Sequence, residues 1–435
     1  MSAHPDSGKI CILPESLINK IAAGEIVERP ASVVKELVEN SIDADADQIL
    51  VTLKNGGKDL ISVLDNGSGM TETDARYAIE RHATSKIAEE EDLFRIQTLG
   101  FRGEALAAIA SVSRFELHTC TDEKKGATNL RLSGGVLKHQ GKTGFPKGTK
   151  ISVEQLFFNT PARLKFLKST STELQHIQQQ LTRLALGNPA IRFRLSHNQQ
   201  MLLNLSTATD FEERIQQLYS EEIRDGLMKA VHSEKYISFH GLISLPSKTR
   251  ISRRWQHLYV NGRHVKCQAI AHGIYDGYRG MLAKGQHPAF FLMIDVSPSE
   301  IDVNVHPAKT EIRFRNSKLV HTILADQLSR QIHEVTSKRF FATERQNDVQ
   351  GLPNQIKLEL SEQLHLETDA VSQKTKSSRD VRQKNLIEPP KSAGALVLDT
   401  TPFAPSPDEK NEYFHLALVL CAHEKDSICW LELFI

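Results

Sequence analysis

Val33-Val34-Lys35-Glu36-Leu37-Val38-Glu39-Asn40-Ser41-Ile42-Asp43-Ala44 is the stretch on which the reading of this chain turns. It reads as a helix in which Val33, Leu37 and Ile42 populate an apolar face, while Glu36 and Asn40, spaced i and i+4, share another. A carboxylate with a free side can take a proton from an attacking water. An amide oxygen one turn later can join a hard cation that bridges phosphates. The same spacing also describes the solvated face of an ordinary amphipathic helix.

Two glycine-bearing loops follow. Asp65-Asn66-Gly67-Ser68-Gly69 comes after a strand pattern, and a buried Asp there can accept a hydrogen bond from an exocyclic amine such as that of adenine. Gly67 and Gly69 allow close backbone approach to a ligand, although a plain strand-to-helix turn has the same composition. Gly100-Phe101-Arg102-Gly103-Glu104 opens the helical run that starts Ala105-Leu106, and helix-start N–H groups suit phosphate. Arg102 meets a phosphate there or pairs with a neighbouring acid. Upstream, Arg81 to Lys86 places a cation and hydroxyls on a loop, and Lys86 taken alone reads as a surface charge. Thr143 to Thr149 is a Gly-Thr turn entering a strand, or a hairpin turn. His306-Pro307-Ala308-Lys309 lies at a strand end, where Lys309 can reach a terminal phosphate across a domain boundary or simply face solvent.

Around these motifs the chain reads as an ordinary soluble α+β protein. It has 435 residues, enough for two or three domains, with 40% hydrophobic and 25% charged residues. The net charge of +1 confines any nucleic-acid surface to a local patch. Five scattered cysteines (Cys11, Cys120, Cys267, Cys421 and Cys429) without zinc spacing imply reduced thiols and a cytoplasmic setting. No secretory leader or membrane-spanning run is read.

Strands are expected at Ile49 to Leu53, Leu60 to Leu64, Phe115 to Cys120, Asn129 to Leu132 and Lys150 to Leu156, with helices at Thr73 to Glu80 and Glu173 to Leu186. A second unit starts near residue 225. Its strands Tyr236 to Ser244, Trp255 to Val260 and Ala289 to Val296, with a helix from Val265 to Arg279, fit a βαβ crossover. Ile301 to Val305 alternates as a strand, and Leu319 to Phe340 closes the unit as a helix. The domains are therefore set at 1–220, 225–340 and 341–435, the last a polar linker or disordered tail.

Together these stretches resemble the GHKL ATPase superfamily and, within it, the MutL family of DNA mismatch-repair proteins. The likeness rests on Ile21 to Pro30, Lys35 to Asn40, Arg81 to Lys86, Gly100 to Leu106, Leu156 to Arg163, Val260 to Arg263 and Asp302 to Lys309, and spans residues 10 to about 335. The resemblance implies a Bergerat-type α/β sandwich followed by a ribosomal-S5-like βαβ domain. It implies Glu36 as general base, Asn40 as the Mg2+ ligand, and Asp65 with Thr149 at the adenine of ATP. Gly67 and Gly69 would line the nucleotide. Lys86 and Gly100, Phe101, Arg102, Gly103, Glu104, Ala105 and Leu106 would form the lid over the phosphates, and Lys309 would sense the terminal phosphate.

The implied function is a slow, Mg-dependent ATPase that acts as an ATP-gated matchmaker between mismatch recognition and strand incision. Its partners would be a MutS-type mismatch sensor, a strand-incision endonuclease and a helicase, with ATP-dependent pairing of N-terminal units and nucleoid association on DNA. Arg253, Arg254, Arg263 and Lys266 are candidates for non-specific DNA phosphate contact, the alternative being scattered solvated cations. The competing function is a scaffold that binds DNA or proteins without turnover. Relatives of this kind continue into a C-terminal dimerisation domain, some with an endonuclease motif. Residues after Phe340 show neither, which reads as a truncated or frame-disrupted product.

Overall fold

The computed structural model describes residues 23–24, 26–86, 100, 103–234, 236–297, 300–302 and 312–350. Phe101, Arg102, Lys309 and the expected tail beyond 350 lie outside the described residues.

The first sheet has eight strands: β1 (Gln48–Lys54), β2 (Leu60–Asp65), β3 (Arg114–Cys120), β4 (Ala127–Ser133), β5 (Val136–Thr143), β6 (Gly148–Glu154), β7 (Arg192–His197) and β8 (Gln200–Leu205), in the order β5-β4-β3-β6-β2-β1-β7-β8. Only the β1–β7 pairing is parallel. β1 alternates buried and exposed positions, so Ile49, Val51 and Leu53 point to one face. That face meets helices α1 (Pro30–Asp43), α3 (Ala105–Ser111) and α5 (Thr170–Gly187), while α2 (Glu72–Tyr77) and α4 (Pro161–Phe166) are single-turn connectors. Val33, Val34, Leu37 and Val38 of α1 are fully buried there, each contributing about 1.5–3 kcal/mol.

The expected hairpin of residues 49–53 with 60–64 is present, as β1 and β2 pair from Ile49–Asp65 to Lys54–Leu60. The Thr143 to Thr149 turn is no hairpin, because β5 and β6 are separated in the sheet by β4 and β3. The expected helix at Thr73 to Glu80 is shorter and starts earlier, at Glu72, where Thr71 caps it by accepting from the Asp74 N–H.

After α6 (Phe211–Leu218) and α7 (Glu221–Arg224) comes a second sheet, β12-β11-β13-β10-β9, built from β9 (Leu227–Ser233), β10 (Ile237–Ser244), β11 (Gln256–Val260), β12 (Arg263–His264) and β13 (Phe290–Val296). β11 and β13 run parallel and are joined through α8 (Gln268–Gly277), as the βαβ expectation required. β14 (Ile301–Asp302) pairs with β15 (Arg313–Phe314), and α9 (Ser317–Gln350) packs on α8. That helix continues ten residues beyond the expected end at Phe340.

The two sheets meet through a cluster of Leu186, Phe211, Ile215, Tyr259 and Phe291. The Tyr259 hydroxyl donates to the Arg183 carbonyl at 2.6 Å. His257 stacks on Phe291, and His264 lies beside it at 6.1 Å between rings. Burial, then the Arg183 guanidinium, pushes His257 down to about 4 and His264 to about 3. Both imidazoles are thus neutral in the fold at pH values where the unfolded chain protonates them. Stability is complete above the ordinary histidine pKa and falls as pH drops toward 4, by at most about 1.4 kcal/mol per unit for each group. Urea unfolding should show a loss of about 2–3 kcal/mol between pH 6.5 and 5. The loss should shrink in a His257→Phe, His264→Phe variant, and a flat profile in the parent would refute the assignment.

Candidate active site

Helix α1 begins with Pro30 at its first position, where the missing N–H costs nothing. It ends in a Schellman motif: Asp45, at φ 57°, donates its N–H to the Ile42 carbonyl at 3.0 Å, and the Ala46 N–H donates to the Ser41 carbonyl at 3.2 Å. With both ends fixed, Glu36, Asn40 and Asp43 fall on one stripe at i, i+4 and i+7. Ser41, next to Asn40, turns toward the sheet.

There Ser41 meets Asp65, buried at the end of β2. The Ser41 hydroxyl donates to Asp65 Oδ2 at 2.8 Å, while the N–H groups of Gly67 and Thr149 donate to Oδ1 at 3.0 and 3.2 Å. Burial pushes the Asp65 carboxyl above its ordinary value, against the hydrogen bonds from Ser41, Gly67 and Thr149 that favour the charged form. A carboxylate accepts about four hydrogen bonds, so three protein donors leave capacity for one from a ligand. The Thr149 hydroxyl shares a 2.9 Å hydrogen bond with that of Thr119, which accepts from the Met70 N–H at 2.8 Å.

The glycines serve this corner by packing against protein. A Cβ on Gly67 would lie 2.6 Å from the Ala44 carbonyl oxygen, and one on Gly69, at φ 69°, 2.0 Å from that of Cys120. Both glycines therefore also let the backbone pass close to the ends of α1 and β3.

At the Asn40 end of the stripe, Lys86 does not behave as a surface charge. Its Nζ donates to Asn40 Oδ1 at 2.9 Å and to Asp43 Oδ2 at 2.5 Å, with the lysine side chain 18% exposed and that of Asp43 6%. The Gly100 N–H also donates to Asp43 Oδ2, at 3.0 Å. Gly103 packs against Ala83, and Glu104 approaches the exposed His82 at 3.4 Å, so the 81–86 loop and the start of α3 are one surface. Glu104 precedes Ala105 and Leu106, and Leu106 packs on the core.

One turn toward the helix start, Lys35 Nζ donates to Glu36 Oε1 and Glu39 Oε2, both at 2.8 Å. Burial alone would lower this lysine; the carboxylates of Glu36 and Glu39 outweigh it and hold its pKa well above the ordinary value. Lys35, Ser41, Asp43 and Thr119 were not singled out from the sequence. The signal for Asp43 was there, in its spacing from Glu36 and Asn40; that for Thr119 was not, because it arrives through sheet pairing with Thr149.

The residues present suit a magnesium ion. The Asn40 carbonyl already holds a cationic ammonium, and no group of three or more His, Cys, Asp or Glu side chains suited to a metal exists among the described residues. Asn40 would supply the protein oxygen for such an ion, a hard donor of the kind magnesium takes beside phosphate and water.

The basic residues of the second unit lie at the two ends of β11. Arg253 and Arg254 precede β11 and are exposed, with Arg254 over the Trp255 ring at 4.4 Å. Arg263 and Lys266 follow its other end, about 17 Å of strand away. Arg263 is half-buried within electrostatic reach of Glu39 and Asp43.

Known proteins match both halves. Residues 28–159 match the family described as histidine kinase-, DNA gyrase B- and HSP90-like ATPase, and residues 215–333 match the DNA mismatch repair protein, C-terminal domain. The chain is 49% identical over 330 residues to the DNA mismatch repair protein MutL of Syntrophotalea carbinolica, covering 76% of this chain and 52% of that one. It is 46% identical over 357 residues to MutL of Anoxybacillus flavithermus, covering 80% and 58%. A crystal structure of the N-terminal domain of a DNA repair protein superposes with a TM-score of 0.64 at 28% identity, over 73% of this chain and 98% of that one. The chain spans about half the length of the curated relatives it matches. The eight-stranded sheet that carries Asp65, with α1 and its Glu36 and Asn40 packed on it, is thus a GHKL ATPase fold, and the chain belongs to the MutL family of DNA mismatch repair proteins.

Proposed function

We propose that this chain binds ATP with Mg2+ on the α1 stripe and hydrolyses it, as the ATP-gated part of a mismatch-repair matchmaker. The observation that carries the reading is the single helix that presents Glu36 and Asn40 outward while its Ser41 fixes Asp65 behind them. Asp65 accepts the adenine amine, with Thr149 beside it. Lys86 and the Gly100 to Leu106 turn meet the phosphates, and Lys309 contacts the terminal one from the second domain. Glu36 holds one carboxylate oxygen on Lys35 and uses the other to take the proton of the attacking water. Asn40 would hold a magnesium ion, which would supply neutralisation of the charge building on the phosphate oxygens.

Membership of the MutL family supports a role between a MutS-type sensor and the incision machinery, an endonuclease and a helicase, in the cytoplasm. It also supports ATP-driven pairing of two N-terminal units, and DNA phosphate contact through Arg253, Arg254 and Lys266. Among the described residues no helix is long and apolar enough to cross a membrane. Light scattering with and without a non-hydrolysable ATP analogue and Mg2+, alongside a phosphate-release assay, tests the proposal. Saturable nucleotide binding, a doubled mass and slow release are expected. An absence of nucleotide binding would refute it.

A further inference from the structure

Asp43 has a placement that packing and helix stability do not explain. It is the last residue of α1, where the partial negative charge of the helix end disfavours a carboxylate. It is nonetheless almost buried, and three segments converge on it. Lys86 arrives from the 81–86 loop at 2.5 Å and the Gly100 N–H from the glycine turn at 3.0 Å. From the second sheet, β12 brings the Arg263 guanidinium within its electrostatic reach. The same Lys86 ammonium lies 2.9 Å from Asn40 Oδ1, one turn up the helix.

We infer that Asp43 is a positioning residue that anchors Lys86 and Gly100 against the Asn40 end of α1, so that the phosphate-facing loops are set before nucleotide arrives. This rests on the reading of the site as an ATP site. A lysine has four rotatable side-chain bonds, and an unanchored one must be ordered by the ligand itself. With Asp43 holding it, that ordering is already complete in the protein, and the ammonium has a partner when a divalent ion takes the Asn40 oxygen. Asp43 touches no phosphate in this scheme and acts through Lys86.

The test is a double-mutant cycle on the full chain, read as the dissociation constant of a fluorescent ATP analogue in Mg2+, with melting curves as a check on folding. Asp43→Asn keeps shape and removes charge; Lys86→Met keeps length and removes the ammonium. Asp43→Asn should weaken binding about tenfold, the loss expected for one charged hydrogen bond, and Lys86→Met at least as much, since it also removes the ammonium from the phosphates. Because Asp43 acts through Lys86, adding Asp43→Asn to Lys86→Met should cost almost nothing more. A further loss of about tenfold from Asp43→Asn in the Lys86→Met background, or wild-type affinity in a folded Asp43→Asn, would overturn the inference. If Asp43→Asn melts far below the parent, Asp43→Glu decides: affinity within about threefold of the parent supports anchoring by charge, and a tenfold loss overturns it. A parent chain that binds no analogue would instead overturn the ATP-site reading.

Discussion

Glu36→Gln is expected to abolish ATP turnover while leaving nucleotide affinity nearly unchanged. The carboxylate is the only group on the outward stripe of α1 that can accept a proton from water, since Asn40 is an amide and Asp43 is held by Lys86 and Gly100. A positioned general base contributes about a hundredfold to ten-thousandfold in rate, so turnover should fall by at least about a hundredfold. Structure should survive. Lys35 keeps Glu39 as a partner at 2.8 Å, and the neutral amide introduced by the substitution can still accept from it. Partly exposed ion pairs of this kind carry about 1 kcal/mol or less. Phosphate release and analogue binding measured on the same preparation separate the outcomes. Persistent turnover would show that another group activates the water. Lost binding together with lost turnover would show that Glu36 holds the nucleotide and does no proton transfer.

How much of this could be read before the fold was known depended on where each interaction is encoded. Helical spacing within one segment placed Glu36 and Asn40 together, because i and i+4 share a face in any α-helix. The hairpin of β1 with β2 and the parallel β11–β13 unit followed from apolar alternation and short connections in the same way. Lys86 was less legible. Nothing in Ala83-Thr84-Ser85-Lys86 says that the chain returns to α1, and that contact spans 43 positions to Asp43. Gly67 and Gly69 were read for small size, and the carbonyls of Ala44 and Cys120 that also require it leave no trace near them in sequence. Arg263 shows the same limit. Next to Arg253, Arg254 and Lys266 it looks like part of a basic run, whereas the turn at Asn261-Gly262 folds it back along β11 and the carboxylates of Glu39 and Asp43, over 200 positions away, act on it. β5, β7, β8 and β9 were not anticipated: β5 is mostly polar and exposed, while β7 alternates, with Phe193 and Leu195 buried between Arg192, Arg194 and Ser196, and was legible.

The second large effect is expected at Asp65, and it separates base recognition from fold. In Asp65→Asn the amide oxygen still accepts from the Gly67 and Thr149 N–H groups, now at 3.0 and 3.2 Å from Oδ1. The new NH2 replaces the oxygen facing Ser41, whose hydroxyl can turn to the Leu37 carbonyl at 3.2 Å and accept from the amide. Every buried donor keeps an acceptor, so stability should fall by only about 1 kcal/mol. Asp65→Ala instead strands the Gly67 and Thr149 N–H groups, at about 1–3 kcal/mol each. Recognition responds differently, because the asparagine presents a donor where the carboxylate offered its remaining acceptor site. The adenine amine then meets another N–H, and ATP affinity should fall by about a hundredfold or more, as happens where a buried polar pair is mismatched. A purine nucleoside triphosphate that lacks the exocyclic amine gives the decisive comparison. The parent should discriminate strongly in favour of ATP, and a folded Asp65→Asn should bind the two ligands about equally. Equal binding by the parent would remove the amine from Asp65, and unchanged ATP affinity in the variant would move the adenine pocket elsewhere on the sheet.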